Sequence, residues 1–312
     1  MARSIAAGIG LAEFPFDGAA GLWRFVDLCE AEGVDSLWQT DRIVSRTPIL
    51  ESMTALAAMA GRTRRIKLGV NVLSLALRDP VLVAKQCATV DVLSEGRLLP
   101  GFGIGSPVAP EWAALHVDTR TRGSRTDEAL TVIHRLWTEA RVDHEGRHFR
   151  LSGVSILPRP VQRELPMWIG GSSAAAIRRT ARFGTGWQAG PETPEQAGAA
   201  IAAIKQALVE SGRSIDEDHY GAGIPFRFGS ADDAGMAAAF DAYRARTGRD
   251  PLGYFAIGDA RTILDRIRAY VDAGVSKFIL RPVARGDHEV LGQTKRLISE
   301  VLPEMAARWP RS

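Results

Sequence analysis

The chain has 312 residues, of which 46% are hydrophobic and 24% charged, a composition typical of a soluble globular protein. Its formal net charge is +3, and no run of Lys or Arg alternates with aromatic residues, so a nucleic-acid partner is not expected. No stretch of about 18 apolar residues occurs, and the N-terminal apolar run is short and rich in glycine, so we expect neither a membrane span nor a secretory leader.

Strand and helix patterns alternate along the first half of the chain. The predicted strands are residues 4–11, 36–39, 66–73 and 98–104. The predicted helices between them are residues 18–32, 48–59, opening at Pro48, and 79–93, opening at Asp79-Pro80. A basic, polar loop after the fourth strand leads to a helix over residues 124–138.

The second half continues the alternation after one interruption. Residues 142–162 alternate and carry turn residues, which predicts an excursion with a β-hairpin. Further strands are predicted at residues 166–171, 186–189, 220–228 and 277–280, and further helices at 172–183, from 193 onward, 232–246, 260–273 and up to about 309. Eight strands with eight principal helices favour a (β/α)8 TIM barrel over a doubly wound open sheet. We predict one such domain over residues 1–312, with excursions at about 106–123, 142–165 and 229–254.

Cysteine and histidine patterns give no sign of a metal or redox centre. Cys29 and Cys87 lie inside helical patterns without a partner at metal or redox spacing, so we expect two small buried hydrophobic residues. This usage suits a reducing cytoplasm. The six histidines are scattered, and no metal site is predicted.

Enzymes with this barrel act at the C-terminal ends of the strands. In this chain those ends are rich in glycine and poor in paired carboxylates. The candidate site residues there are Glu13, Asp41, Arg42, Asn71, Val72, Gly103, Gly105, Gly170, Gly171, Ser172 and Trp187.

Several of these candidates also have a purely structural interpretation. Asp41 and Arg42 are equally consistent with an ion pair at the rim, and Asn71 with a local bend of the backbone. Gly105 follows a strand as in dinucleotide-binding motifs, but prolines rather than a helix come next, so it also suits a simple turn. Trp187 is consistent with the core as well as with a ligand.

The segment Gly170-Gly171-Ser172-Ser173 is a candidate anion site. Two glycines end a strand and two hydroxyl residues start a helix. Backbone N–H groups and the helix dipole at such a point attract phosphate. The alternative is ordinary helix capping by the serines.

Many ordered segments of the chain together resemble one family, the bacterial luciferase-like oxidoreductases that depend on flavin or deazaflavin. The segments are residues 68–72, 78–80, 84–86, 91–97, 101–105, 125–128, 136–138, 157–162 and 168–172. The resemblance covers almost the whole chain. It implies a (β/α)8 barrel, a homodimer, and a non-prolyl cis peptide at the end of the third strand, which maps to Asn71–Val72. The bulge there would support the central ring of the cofactor.

The same resemblance bears on the cofactor. Some members use FMN with oxygen, and others use the deazaflavin coenzyme F420 as a hydride carrier. This chain lacks the long insertions common in the FMN monooxygenases, and residues 40–42 and 170–172 are more similar to the F420 group. Several proteins of that group carry a His after the Asp as a proposed acid/base. Here the position is Arg42, and Glu13 is the substitute candidate.

We therefore expect an F420-dependent oxidoreductase that transfers hydride between the deazaflavin and a small, partly hydrophobic organic substrate. The alternative is an FMN-dependent monooxygenase, and a third hypothesis is a non-catalytic flavin-binding protein of the same fold. The aromatic residues that suggest an apolar substrate are Phe14, Phe16, Trp112, Phe226 and Phe228. Three basic residues after the fourth strand are candidates to meet the anionic tail of F420, namely Arg120, Arg122 and Arg125.

Overall fold

The computed structural model of the protein describes residues 4–310. Its strands are β1 (Ala6–Leu11), β2 (Ser36–Gln39), β3 (Lys67–Ser74), β4 (Leu98–Gly103), β5 (Val142–Glu145), β6 (Arg150–Val154), β7 (Trp168–Gly170), β8 (Gly186–Gln188), β9 (Tyr220–Phe228), β10 (Ala256–Gly258) and β11 (Lys277–Pro282). Its helices are α1 (Ala19–Ala31), α2 (Ser52–Arg62), α3 (Pro80–Leu93), α4 (Glu111–Ala114), α5 (Arg122–Thr138), α6 (Ala174–Phe183), α7 (Pro194–Glu210), α8 (Met236–Thr247), α9 (Ala260–Asp272), α10 (Gly286–Arg296) and α11 (Leu302–Arg308).

Eight of these strands form a closed ring. Their order is β1, β2, β3, β4, β7, β8, β9 and β11, and β11 pairs again with β1. Every pairing in the ring is parallel, and β8 meets β9 through Trp187 beside Tyr220 and Gln188 beside Gly221. The predicted (β/α)8 barrel is confirmed, and the open sheet is excluded because no strand of the ring is left with a free edge.

The helices cover the barrel because each carries an apolar face. In α9 the buried residues recur at the spacing of one helical face: Ile263, Leu264, Ile267, Tyr270 and Val271. The strands are buried on both faces, as β9 illustrates with nine buried residues in succession. Such strands are typical of parallel sheets sandwiched between helices and side chains of the barrel interior.

The three predicted excursions hold most of the elements outside the barrel, and β10, which pairs with β9, follows the third. Residues 106–123 carry α4, and residues 229–254 carry α8. The predicted hairpin is the antiparallel pair β5–β6. The predicted start of the second helix at Pro48 is wrong, because Glu51 caps α2 by accepting the N–H of Thr54 at 2.8 Å, and the helix runs on to Arg62.

Tryptophan side chains fill the barrel interior at positions where neighbouring strands carry glycine. The ring of Trp38 lies so close to Gly69 that a Cβ atom there would be 2.2 Å from it. Trp38 also packs edge-on against Trp168 at 6.2 Å between ring centroids. Glycine on the strand is therefore what admits the large ring.

Two of the motifs that carry the family resemblance have structural roles at the N-terminal end of the barrel. The Arg97 guanidinium donates to the carbonyls of Ile66 at 2.6 Å and Thr63 at 2.9 Å, which joins β3 and β4 to the end of α2. The Asp91 carboxylate accepts the backbone N–H of Gln162 at 3.0 Å and so fastens the hairpin excursion to α3. Residues 91–97 and 157–162 thus hold the barrel together far from its mouth.

Both cysteines are free and fully buried, as predicted. Burial raises the pKa of the Cys29 and Cys87 thiols far above the usual value, so neither carries a reactive thiolate. Within residues 4–310, no helix combines the length and apolar character that a membrane span requires.

The Trp38–Gly69 contact predicts a stability difference between two glycine substitutions. Gly69→Ala should lower the free energy of unfolding by about 1–3 kcal/mol, because the methyl group overlaps the indole ring. The matched control is Gly61→Ala in α2, where nothing lies within 4 Å and alanine should add up to about 1 kcal/mol. Urea unfolding of both variants measures the difference; equal midpoints would contradict the packing described here.

Candidate active site

The C-terminal end of β3 is irregular at Asn71 and Val72. The pairing of β3 with β4 loses its register between Val70 and Leu73, so two residues bulge out of the ladder. The peptide bond between Asn71 and Val72 is cis, as the family resemblance implied. Both side chains are partly exposed at the mouth of the barrel.

Glycines on the neighbouring strands make room for the Val72 side chain. A Cβ atom at Gly101 would lie 3.0 Å from Val72, and one at Gly103 would lie 2.6 Å away. On β7, a Cβ atom at Gly170 would lie 3.1 Å from the same side chain. Gly103 and Gly170, both predicted to meet the cofactor, therefore have a first role in seating the bulge.

Asp41 follows β2 and ties the bulged end of β3 to its surroundings. Its buried carboxylate accepts the Ser52 hydroxyl at 2.9 Å, the backbone N–H of Ser74 at 2.9 Å and the Arg78 guanidinium at 2.7 Å. Ser74 is the last residue of β3, and Arg78 lies just beyond it. With these contacts filled, the geometry favours Asp41 as a group that positions the site.

Arg42, next to Asp41, points toward a buried acid. Its Nη1 lies 3.7 Å from Oε1 of Glu111 on α4, whose side chain is only 3% exposed. The other oxygen, Oε2, is buried and has no hydrogen-bond partner in the described chain. Glu13, the other predicted acid/base, is exposed at the rim and lies 4.0 Å from Arg285. Besides Asp41, this side of the mouth thus holds a second buried acid, Glu111, which the sequence analysis missed.

The predicted anion site lies between β7 and α6. Gly171 has φ +104°, a conformation that glycine adopts without strain, and Ser173 caps α6 by accepting the N–H of Ala176 at 3.2 Å. The Ser172 hydroxyl donates to Glu192, so that hydroxyl is engaged within the protein. The N–H of Ala176 is thus taken by Ser173, and the backbone N–H groups that precede it in the first turn of α6 remain as donors.

Trp187 lies behind this loop. Its side chain is completely buried, and its Nε1 donates to the carbonyl oxygen of Gly171 at 2.8 Å. It therefore supports the loop from the core side and exposes no surface of its own. Gly105 has φ +74° and sits against Trp112, where a Cβ atom would be 3.0 Å from the ring. The turn interpretation of Gly105 fits this geometry.

The basic residues after β4 are not equally available. Arg120 is 90% exposed and paired with Asp118 at 2.9 Å. Arg125 donates to the carbonyl of Ala76 at 2.9 Å and stacks over Phe149. Arg122 keeps a buried Nε without a hydrogen-bond partner in the described chain. Arg122 is the one of the three with an unused buried donor.

Most of the aromatic residues that suggest an apolar substrate are buried. Phe16, Trp112, Phe226 and Phe228 are buried, and of the five only Phe14 is partly exposed. The expectation that these four rings are exposed at the mouth is wrong. Their positions in strands and loops near the mouth suggest exposure, but the rings pack inward. Phe228, for example, lies under Arg296 on the outer side of the barrel.

The structure also brings together residues that the sequence analysis did not single out as a group. Both amide atoms of Gln188, at the end of β8, are buried without a partner in the described chain. Arg281 lies near the C-terminal end of β11. Asp216, Asp218 and His219 lie near one another before β9, at the opposite end of the barrel. These three residues lie within four positions of the chain, so their proximity is a local signal that the sequence analysis did not use.

Replacing Asp41 tests whether it holds the site together. Asp41→Asn removes the charge that faces Arg78 in a buried pair, and we expect a loss of about 3 kcal/mol in the free energy of unfolding. Asp118→Asn, which weakens the exposed pair with Arg120, should change the free energy of unfolding far less, because solvent screens that pair. Chemical denaturation compares the two. If Asp41→Asn is as stable as the natural protein, the Asp41 carboxylate does not hold the site together and is available for direct contact with a ligand.

Known proteins resemble this chain in sequence. Residues 5–253 match the family model of luciferase-like monooxygenases. Uncharacterised proteins of Mycobacterium bovis and Mycobacterium tuberculosis are 32% identical over 168 residues; the match covers 54% of this chain and 57% of theirs, so the chain spans little more than half of their length. An F420-dependent glucose-6-phosphate dehydrogenase of Amycolatopsis mediterranei is 25% identical over 326 residues, covering 93% of this chain and 96% of that protein.

Solved structures share the fold. The monooxygenase RslO1 from Streptomyces bottropensis superposes with a TM-score of 0.82 at 21% identity, covering 97% of this chain and 100% of that one. An F420-dependent secondary alcohol dehydrogenase, solved with an F420–acetone adduct, also gives 0.82, at 16% identity and with 96% and 98% coverage.

The family model spans most of the chain, and the barrel with its irregular third strand is in place. The chain therefore belongs to the luciferase-like monooxygenase family of oxidoreductases.

Proposed function

We propose that the protein is a coenzyme F420-dependent oxidoreductase that transfers hydride between the deazaflavin and a small organic substrate. The observation that carries the proposal is the cradle around Val72. Its side chain stands at the mouth between glycines of β4 and β7, and this arrangement suits the support of a flat ring system.

The fit of a deazaflavin rests on three further features. The first turn of α6 offers backbone N–H groups to a phosphate, and Arg122, the first residue of α5, has an unused buried Nε. Gln188 has an unpartnered amide at the end of β8, beside Gly170 in the sheet. Glu192 beside Ser172 opposes an anion at that hydroxyl, so the phosphate contacts are assigned to the backbone.

When bound, F420 supplies a hydride acceptor or donor at its deazaflavin ring. The protein binds and orients that ring through Asn71, Val72 and the glycines beside them. A hydride and a proton leave or reach the substrate together, so a proton-holding group is needed near the reacting carbon. Glu111 Oε2, buried without a partner beside Arg42, supports the assignment of the proton to that atom. Asp41 keeps the end of β3 in place, and Glu13 remains the alternative proton group at the rim.

The choice of F420 over FMN is supported by the Amycolatopsis relative, an F420-dependent dehydrogenase whose match covers 93% of this chain. The FMN-dependent monooxygenase remains the second candidate, because a monooxygenase shares the fold equally well with a TM-score of 0.82. A homodimer in the cytoplasm completes the proposal, as the family resemblance and the two reduced cysteines suggest.

Titration of the purified protein with both cofactors under anaerobic conditions tests this choice. We expect F420 to bind more tightly than FMN, with an affinity that falls as salt rises, because exposed arginine contacts to an anionic tail are screened. Fluorescence quenching measures both affinities. Micromolar FMN binding without detectable F420 binding at low salt would reverse the assignment in favour of the monooxygenase.

A substitution in the β7–α6 loop tests the phosphate contacts. Gly171→Val places a β-branched residue at φ +104° and should weaken F420 binding by about tenfold or more, because the loop can no longer present its N–H groups. Gly212→Val is the control, since Gly212 also has a positive φ of +63° but lies beyond α7, away from the mouth. If both variants bind F420 like the natural protein, the loop only packs.

A further inference from the structure

Two arginines at the barrel mouth lack an acidic partner. Arg281 ends β11, and its guanidinium donates to the Tyr254 hydroxyl at 2.6 Å. Arg246 lies on the inserted helix α8. Within residues 4–310, neither forms an ion pair with a carboxylate, whereas Arg42 faces Glu111 and Arg285 faces Glu13.

Arg281 lies beside the bulge of β3. A Cβ atom at Gly223 would be 3.6 Å from the Arg281 guanidinium carbon and 3.6 Å from Nδ2 of Asn71. A Cβ atom at Gly10 would be 3.1 Å from the same arginine side chain. Glycines on β1 and β9 thus leave the space in which this guanidinium stands, next to the residue that begins the bulge.

Arg246 is directed to the same place by the packing of α8. Phe240 and Tyr243 are buried, and Arg246 follows Tyr243 by three residues, which puts it on the same helical face. Tyr243 stacks on Tyr254 at 5.1 Å between centroids, and Tyr254 is the residue that holds Arg281. The two tyrosines therefore link the inserted helix to the arginine of β11.

The pKa of Arg246 reflects the positive charges around it. Arg246 is an exposed residue, but the surrounding protein displaces bulk water from its charge and lowers its pKa; Tyr254 opposes this, and Arg281 and Arg42 lower the pKa further. Two positive side chains held near one another without a carboxylate destabilise the protein, and a bound anion relieves this repulsion. Guanidinium groups bind carboxylate and phosphate through paired hydrogen bonds.

We propose that Arg246 and Arg281 form a binding site for an oxyanion group, phosphate or carboxylate, of the substrate. The inference rests on the proposed function, because the bulge at Asn71 supports the reacting ring. It assigns the inserted helix α8 a role in substrate selection and places the anionic group on the β9–β11 side of the mouth. A neutral analogue of the substrate leaves both guanidinium groups unpaired, and its affinity for the site is therefore lower.

The test uses inorganic phosphate as the probe, with calorimetric titration of the protein at low ionic strength, both alone and saturated with F420. Phosphate should bind in both states. Arg246→Gln and Arg281→Gln should each weaken binding about tenfold, the effect of losing one charge-assisted contact. Arg244→Gln is the matched control: it removes a positive charge from the same helix, but Arg244 is exposed and paired with Asp241 at 3.2 Å.

Three results would overturn the proposal. One is equal phosphate affinity in the natural protein and Arg246→Gln, an exposed change that keeps the test valid even where Arg281→Gln fails to fold. Another is the absence of phosphate binding. The third is a combination of two observations. Saturation with F420 abolishes phosphate binding, and Arg246→Gln binds F420 more weakly but binds the deazaflavin without its tail as the natural protein does. That result would assign the arginines to the cofactor tail. If the natural protein does not bind F420 but the phosphate results are as expected, the proposed function is contradicted and the anion site is still supported.

Discussion

Crowding around the Val72 side chain is the constraint on which the barrel mouth depends. The bulge at the end of β3 turns this side chain toward β4 and β7, and a Cβ atom at Gly103 would come within 2.6 Å of it. Side chains at Gly101 and Gly170 would also crowd Val72, at 3.0 and 3.1 Å. The glycines of two neighbouring strands, β4 and β7, are therefore a condition for the shape of the site, before any ligand binds.

Charged side chains are distributed unevenly around the barrel mouth. On the β2–β3 side, carboxylates and arginines are matched: Asp41 engages Arg78, and Glu111 faces Arg42. On the β9–β11 side, Arg281 donates to the Tyr254 hydroxyl and, within residues 4–310, faces no carboxylate in an ion pair. The arginines of the first side are thus paired with acids, and Arg281 on the second side is not. The two sides of one mouth suit different tasks, support of a ring and attraction of an anion.

Much of the candidate site could be predicted from strand ends alone, because the C-terminal ends of parallel strands meet at one face. Val72, Gly103 and Gly170 lie there together. Their physical relation could not be predicted, since which glycine accommodates which side chain depends on register. Trp187 illustrates the other limit: position near a strand end does not reveal that its ring faces the core and holds Gly171 from behind.

The sequence by itself determined the alternation of eight strands and helices, the burial of both cysteines and the irregular end of β3, because hydrophobic period, turn residues and family motifs are local signals. Only the tertiary structure decided that Glu111 is a buried acid beside Arg42, and that the inserted helix α8, which carries Arg246, packs onto Tyr254, the partner of Arg281 on the last strand. These partners are far apart in the chain, and their charges meet only when the barrel closes and α8 packs through its tyrosines onto the rim.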